Sequence, residues 1–402
     1  MDGAILQGMR VVEVSAFVAA PLGGMTLAQL GAEVIRIDGV EGGLDYHRWP
    51  VTEDGASLFW ACLNKAKRSV AIDIGKPQGR ELAEALITAP GEDAGILLTN
   101  FPPRGWLDYQ TLRAQRDDLI QLTIQGDRHG GSAVDYTVNP RLGLPYLTGP
   151  QGIGEPVNHV LPAWDLITGQ MAAVGLLAAE RQRRRDGVGQ HVKLALEDVA
   201  LAVMGHLGFL AEAQQGQQRQ RHGNDLYGAF GRDFVTRDGQ RIMLVGLTRK
   251  QWRSLCEATG ISEAVAALGH RLNVDLDLEG ERFHAREALA GLIAPWVATH
   301  DLVDIAARLD AAGVCWSRYQ TVTELLADPA CSEQNAMFRM LEQPGVGLLL
   351  TPGIPLRFNE QRLPARPAPT LGADTEAVLM ECLGLTTAEF GRLHDQGLVR
   401  CG

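Results

Sequence analysis

Apolar positions in the first third of the chain fall in short β-branched runs separated by stretches of helical spacing. Residues 10–15 (RVVEVS) read as a strand that leads through AFVAAPLGG into a helical MTLAQLGA. EVIRID follows as a second strand and residues 69–74 (SVAIDI) as a third. The next stretch, GKPQGRELAEALI, places Pro77 where a helix starts. AGILLTN and LIQLTIQG bring the strands to five. Strands that alternate with helices need crossover connections, which predicts an α/β fold with a parallel sheet.

Farther along, residues 162–185 predict one long helix, stopped by DGVG, and QHVKLAL predicts another strand. Residues 200–220 are helical and rich in Ala, Leu and Gln. Residues 225–330 read as a separate α+β unit opening on a hairpin, FVTRDGQRIMLV, with Asp238 and Gly239 at its turn. From residue 340 the chain is rich in Pro and Gly and closes on a helical DTEAVLMECLG. The predicted organisation is a large domain over residues 1–220, a small domain over 225–330, and a return of 340–402 to the large one.

Composition narrows the function classes. A net charge of −11 argues against nucleic acid as a bulk partner. It leaves room for an anionic small ligand held by a few local cations. The six cysteines show neither a CxxC pair nor a metal-ligand spacing, so no metal is expected and the thiols read as reduced, as in a cytoplasmic protein. Neither a secretory leader pattern nor an apolar run of membrane length is present, and no membrane partner is expected. GxGxxG after the first strand, GxxxxGK[ST] and GxSxG are all missing. The dinucleotide, P-loop and nucleophile-elbow readings therefore lose their strong forms.

Asp165 lies at the start of the long helix, just after Pro162. The positive helix end and its N–H groups would keep a carboxylate there ionised, and an ionised carboxylate can attack an acyl carbon. The same position suits a plain capping aspartate. Arg36 and the run from Asn64 to Ser69 (NKAKRS) stand where they could meet nucleotide phosphates at the sheet edge, or form solvated surface charge. RQRRR at 181–185 complements the helix dipole. His129 and His159 are loop histidines that could act as acid–base groups or simply be exposed.

The order of these segments resembles the class III CoA-transferase family, which also includes acyl-CoA racemases. The resembling blocks are LQGMRVVEVSAFVAAPLGGMTLAQLGAEVIRID, NKAKRSVAIDIGKPQGREL, LLTNFPPRG, the helix after Asp165 closed by RRDGVGQHVKLALED, DAAGVCWSRYQTVTELLADP and PTLGADTEAVL. The resemblance implies a Rossmann-like large domain built from both chain ends, a smaller middle domain and an interlocked homodimer. It implies an acyl-CoA thioester as substrate, with coenzyme A part of that substrate and no separate cofactor. By position, Asp165 matches the family's catalytic aspartate. Arg36, Ile72, Asn100 and Phe101 match places that contact coenzyme A, with Lys76 and Arg104 close to two further ones.

Some positions depart from the family pattern. Val18 stands where some members carry a Gln that helps hold the acyl intermediate. GNDLYGAFGRDF is the nearest segment to the glycine-rich flap of other members. Val134 stands where racemases carry the His that pairs with their Asp, which argues against two-base proton exchange. The segments SAVDYTVNPRLGLPYLTGP and PVNHVLPAWDL resemble those of members that move coenzyme A between the two carboxyls of one mesaconate. Such chemistry needs a cation for the second carboxylate. Arg48, in GGLDYHRWP, is the candidate, with Asp135 and His159 as polar neighbours.

Overall fold

The computed structural model describes residues 5–152 and 154–402. Two compact units make up the chain. One comprises the chain up to Leu142, Val160–Ala211 and Ala327–Gly402; the other comprises Gly143–His159 and Glu212–Leu326. The segment 143–159, assigned from sequence to the large domain, thus belongs to the second unit.

The first unit holds β1 (Arg10–Val14), α1 (Ala19–Gln29), β2 (Glu33–Asp38), α2 (Leu58–Leu63), β3 (Arg68–Ile72), α3 (Pro77–Thr88), β4 (Ile96–Thr99), α4 (Tyr109–Gln115), β5 (Ile120–Gln125), α5 (Asp135–Arg141), α6 (Ala163–Asp186), β6 (His191–Ala195) and α7 (Leu196–His206). The final strand, at Val399–Arg400, pairs antiparallel with β3, and β1–β6 pair in parallel. From β3 to β6 the sheet order is 3-2-1-4-5-6, so the order reverses between β1 and β4. In open α/β sheets the crevice beyond the strand ends at such a reversal is where ligands bind.

Period-two alternation places both faces of each strand in apolar surroundings. Val12, Val14, Ile35, Ile37 and Leu97 pack into one buried cluster, and Val11, Val34, Ile96 and Leu98 into another. That double burial is why the strands read as near-continuous apolar runs. On the second face α1 and α6 cross at glycines. A Cβ on Gly169 would stand 2.7 Å from the Ala19 carbonyl oxygen, so only glycine permits this approach. Gly169 is one turn beyond Asp165 and Ala19 opens α1. The contact therefore brings the start of α6 beside the turn between β1 and α1.

The second unit carries a three-stranded antiparallel sheet of β7 (Phe230–Val235), β8 (Arg241–Gly246) and β9 (Cys315–Arg318). Helices bury its inner face around Phe230, Leu244, Trp252, Leu289 and Ile293. The central sheet is thus mostly parallel, and the smaller sheets are antiparallel.

Candidate functional site

The long helix α6 starts against α5. Asp135, the first residue of α5, is buried, and its Oδ2 accepts hydrogen bonds from the backbone N–H groups of Trp164 (2.7 Å) and Asp165 (3.2 Å). One turn later on α5, Asn139 Oδ1 accepts from the Trp164 indole at 3.2 Å. The first N–H groups of α6, expected from sequence to hold Asp165, are thus engaged by Asp135. Asp135 Oδ1 is buried and makes no hydrogen bond among the described residues.

The Asp165 side chain is left half-buried beside a second carboxylate. Burial, then the charge of Asp135, push its carboxyl up to about 6, against a smaller lowering by Arg48. At neutral pH it is mostly ionised but poorly solvated, which suits a nucleophile. Asp135→Asn would keep an oxygen for the two N–H groups and remove the charge. The Asp165 carboxyl should then titrate below its present value of about 6, as read by carboxyl carbon NMR. An unchanged titration would assign the rise to burial alone.

Opposite α6, the turn after β1 is fixed from the end of β4. Asn100 Oδ1 accepts from Ala16 N (3.0 Å), and Asn100 Nδ2 donates to Ala16 O (2.7 Å). Phe17 follows with φ +68°, a left-handed conformation unusual for an aromatic residue. The Arg48 guanidinium lies 5.3 Å from the centre of the Phe17 ring and 5.1 Å from that of Phe59. Among the described residues it donates no hydrogen bond. Phe17 and Phe59 were not singled out from sequence; the left-handed turn that aims Phe17 has no glycine to signal it.

Arg36 is bound into a buried network of its own. Its Nε donates to Asp38, its Nη1 to Asn64 and Glu13, and its Nη2 to Ser15 O, Asp38 and Asp45, at 2.9–3.4 Å. It is 1% exposed and stacks over Trp60 at 4.6 Å. Lys67 donates to Glu13 (2.8 Å) and Asn64 (2.9 Å), and burial pushes its ammonium down to about 8. Lys65 is also buried and donates to Pro352 O at 2.9 Å. Arg36 and Lys67 thus sit in an internal ion network, and Lys65 is held by a backbone carbonyl. Buried cations are stable where such partners offset their lost hydration.

The other residues expected at coenzyme A lie at the carboxyl edge of the sheet. Ile72 ends β3 and is fully buried; Asn100 and Phe101 follow β4 directly. Lys76 precedes α3, is exposed, and pairs with Asp73 at 3.1 Å. Arg104 is exposed just beyond Phe101. His159 falls in the second unit. That unit also holds a cavity of about 770 Å³ lined by Trp252, Cys256, His270 and Asp277, which contains none of the expected residues.

A family model described as CoA-transferase family III matches residues 6–375. The chain belongs to CoA-transferase family III. Among family relatives, the 2-methylfumaryl-CoA isomerase of Chloroflexus aurantiacus is 59% identical over 399 residues, 98% of each chain. The succinyl-CoA:mesaconate CoA-transferase of Haloarcula hispanica is 29% identical over 379 residues, 88% of this chain and 90% of that one. A crystal structure of a CAIB/BAIF family protein from Brucella suis has a TM-score of 0.75 at 26% identity, covering 94% of this chain and 99% of that one. The family III membership read from the order of the motifs is therefore correct, and the acyl-CoA class of substrate comes with it.

Proposed function

We propose that this enzyme moves coenzyme A within one molecule, between the C1 and C4 carboxyls of mesaconate, converting 2-methylfumaryl-CoA to 3-methylfumaryl-CoA. The observation that carries the reading is Asp165 with Arg48 acting on it. One is a poorly solvated carboxylate able to take an acyl group; the other is a guanidinium that donates no hydrogen bond among the described residues and is able to hold a second carboxylate. The 59% identical relative named 2-methylfumaryl-CoA isomerase supports the same substrate.

In the proposed sequence an Asp165 oxygen attacks the C1 thioester carbonyl. The C–S bond breaks, giving a mixed anhydride and coenzyme A thiolate. The thiolate attacks the Asp165 carbonyl carbon, the anhydride C–O bond breaks, and aspartyl-CoA thioester and the mesaconate dianion result. Mesaconate turns within the site. Its C4 carboxylate attacks the aspartyl thioester, and the same two steps in reverse release 3-methylfumaryl-CoA and restore the carboxylate. Protons, metals and redox carriers are not consumed. In this reading Lys76 and Arg104, exposed after β3 and β4, meet the phosphates, and the chain around Ile72, Asn100 and Phe101 lines the pantetheine. Positioning of this kind removes up to about 7–11 kcal/mol from a barrier.

The finer assignments follow the same reading. Along α6, Ile167, Met171 and Val174 are exposed at helical spacing, a stripe that a second copy of the chain would cover in a homodimer. The six cysteines are all free, as suits the reducing cytoplasm. Among the described residues, no helix is long and apolar enough to cross a membrane. The test is purified protein with 2-methylfumaryl-CoA and isotopically labelled free mesaconate, read by mass spectrometry. Unlabelled 3-methylfumaryl-CoA is the expected product. Labelled product would make the enzyme an intermolecular transferase, and exchange of the α-hydrogen of a saturated 2-methylacyl-CoA with solvent deuterium would make it a racemase.

A further inference from the structure

Phe17 has the wrong exposure and the wrong backbone for a structural aromatic. Its neighbours Ala16 and Val18 are buried, yet Phe17 is 40% exposed and left-handed at φ +68°. A non-glycine residue persists in that region only where its surroundings hold it there. Asn100 supplies the hold, since its amide grips both the N–H and the carbonyl of Ala16. Holding the peptide groups on both sides of Ala16 fixes the direction in which Phe17 leaves the turn. The direction is toward Arg48, whose guanidinium also meets Phe59.

A guanidinium has two kinds of surface. Its faces attract aromatic rings, and its N–H edge binds carboxylates in plane, often through two parallel bonds. At Arg48 the rings of Phe17 and Phe59 take the first kind of contact, and no protein group among the described residues takes the second. The two rings narrow where this exposed arginine can point, so less freedom is lost when its edge holds a carboxylate.

We propose that Phe17 is a specificity-determining residue: held left-handed by Asn100, it brackets Arg48 with Phe59 so that the guanidinium edge receives the free carboxylate of a dicarboxylic acyl group. The proposal rests on the reading of this site as one that takes such an acyl group, and it adds what selects that group and retains it. During the transfer the free dianion must stay while it turns. A grip on one carboxylate through Arg48 leaves the other free to reach Asp165. An acid with a single carboxylate has nothing to leave on Arg48 when it reacts.

The experiment measures binding without turnover. Mesaconate and methacrylate, which lacks the second carboxyl, are titrated calorimetrically into the full chain at saturating coenzyme A. The proteins are the parent, Phe17→Ala, Phe17→Gly and Phe17→Tyr. Phe17→Gly removes the ring and relieves the backbone at once, so it keeps the test alive if Phe17→Ala folds poorly. The parent should prefer mesaconate. Phe17→Ala and Phe17→Gly should each lose about tenfold in mesaconate affinity with little change for methacrylate, and Phe17→Tyr should keep the preference. Equal mesaconate affinity in the parent and the ring-less variants would overturn the proposal, as would a parent with no preference. Failure of the parent to isomerise 2-methylfumaryl-CoA would instead sink the proposed reaction, because these titrations require no catalysis.

Discussion

Asp165→Asn should abolish isomer formation, by at least ~10⁴-fold, and should make the folded chain more stable. The two signs follow from one arrangement. Catalysis needs a carboxylate oxygen that accepts the acyl group, and an amide is a far weaker nucleophile. The fold, by contrast, has to keep this carboxylate charged in a half-buried place beside Asp135. Burial and that neighbouring charge raise its pKa to about 6 from an ordinary 3.8. Because the folded value is the higher one, the folded state binds the proton more tightly than the unfolded state does. The charged form is then penalised once the pH exceeds about 4, and the penalty is complete above about 6. Removing the charge should therefore stabilise the chain at pH 7.5 by roughly 1–3 kcal/mol, with the curves converging near pH 4. Urea midpoints at the two pH values, beside turnover followed by mass spectrometry, give both readings. Lost activity with lowered stability at pH 7.5 would mean that the variant had lost its structure and not merely its nucleophile. The parent's own rate should fall as the pH drops through about 6, where Asp165 takes up its proton.

Much of this was legible in the sequence because strand and helix periods are local signals. The strands predicted at EVIRID and AGILLTN are β2 and β4, and the helix predicted over 162–185 is α6. Fully buried parallel strands announce themselves by unbroken apolar runs, and Gly187 closes α6 in a left-handed cap. Weaker elements were not announced. α2 is six residues long and α5 carries a proline, so neither has enough period to stand out. The hairpin of Phe338–Gln343 and Gly347–Pro352 lies in a stretch rich in Pro and Gly, for which no strand was read from the sequence.

Within the site, Asp165, Arg48 and Asp135 were named from the chain. Sequence could not say which carboxylate would cap α6, because Asp135 lies 30 positions away from the N–H groups it binds. It did not show the partners of the basic residues around β2 and β3 for a related reason. Arg36 and Lys67 look like surface charge until Glu13, Asp38 and Asp45 are brought against them by the pairing of β1 with β2 and the fold of the following loop. Burial is a property of the assembled fold, and charge alone does not report it.

Arg36→Met should cost the fold about 3–5 kcal/mol, the second large effect expected of a single substitution. Methionine fills part of the volume but leaves Glu13, Asp38 and Asp45 facing one another with Lys67 as the remaining cation of the network. All three carboxylates are at most 3% exposed, and Glu13 Oε2 already lacks a hydrogen bond among the described residues. Buried charges stripped of their partner lose far more than an exposed pair contributes. Acidification should recover part of the loss, since the orphaned carboxylates can take up protons, and burial already raises that of Asp45. The deficit in urea midpoint should thus be larger at pH 7.5 than at pH 5. A further Asp45→Asn change should destabilise the Arg36→Met chain less than it destabilises the parent, a coupling of about 0.5–3 kcal/mol. An additive pair with a pH-independent deficit would show instead that the stacking of Arg36 over Trp60 carried the loss. The damage should also reach the reaction. Arg36 Nη2 holds Ser15 O at 3.1 Å, one residue before the Ala16 peptide gripped by Asn100. Loosening that carbonyl releases one anchor of the turn that aims Phe17 at Arg48. The residual activity of Arg36→Met should therefore show weakened retention of the free acid, with label from added mesaconate entering a product that the parent keeps unlabelled.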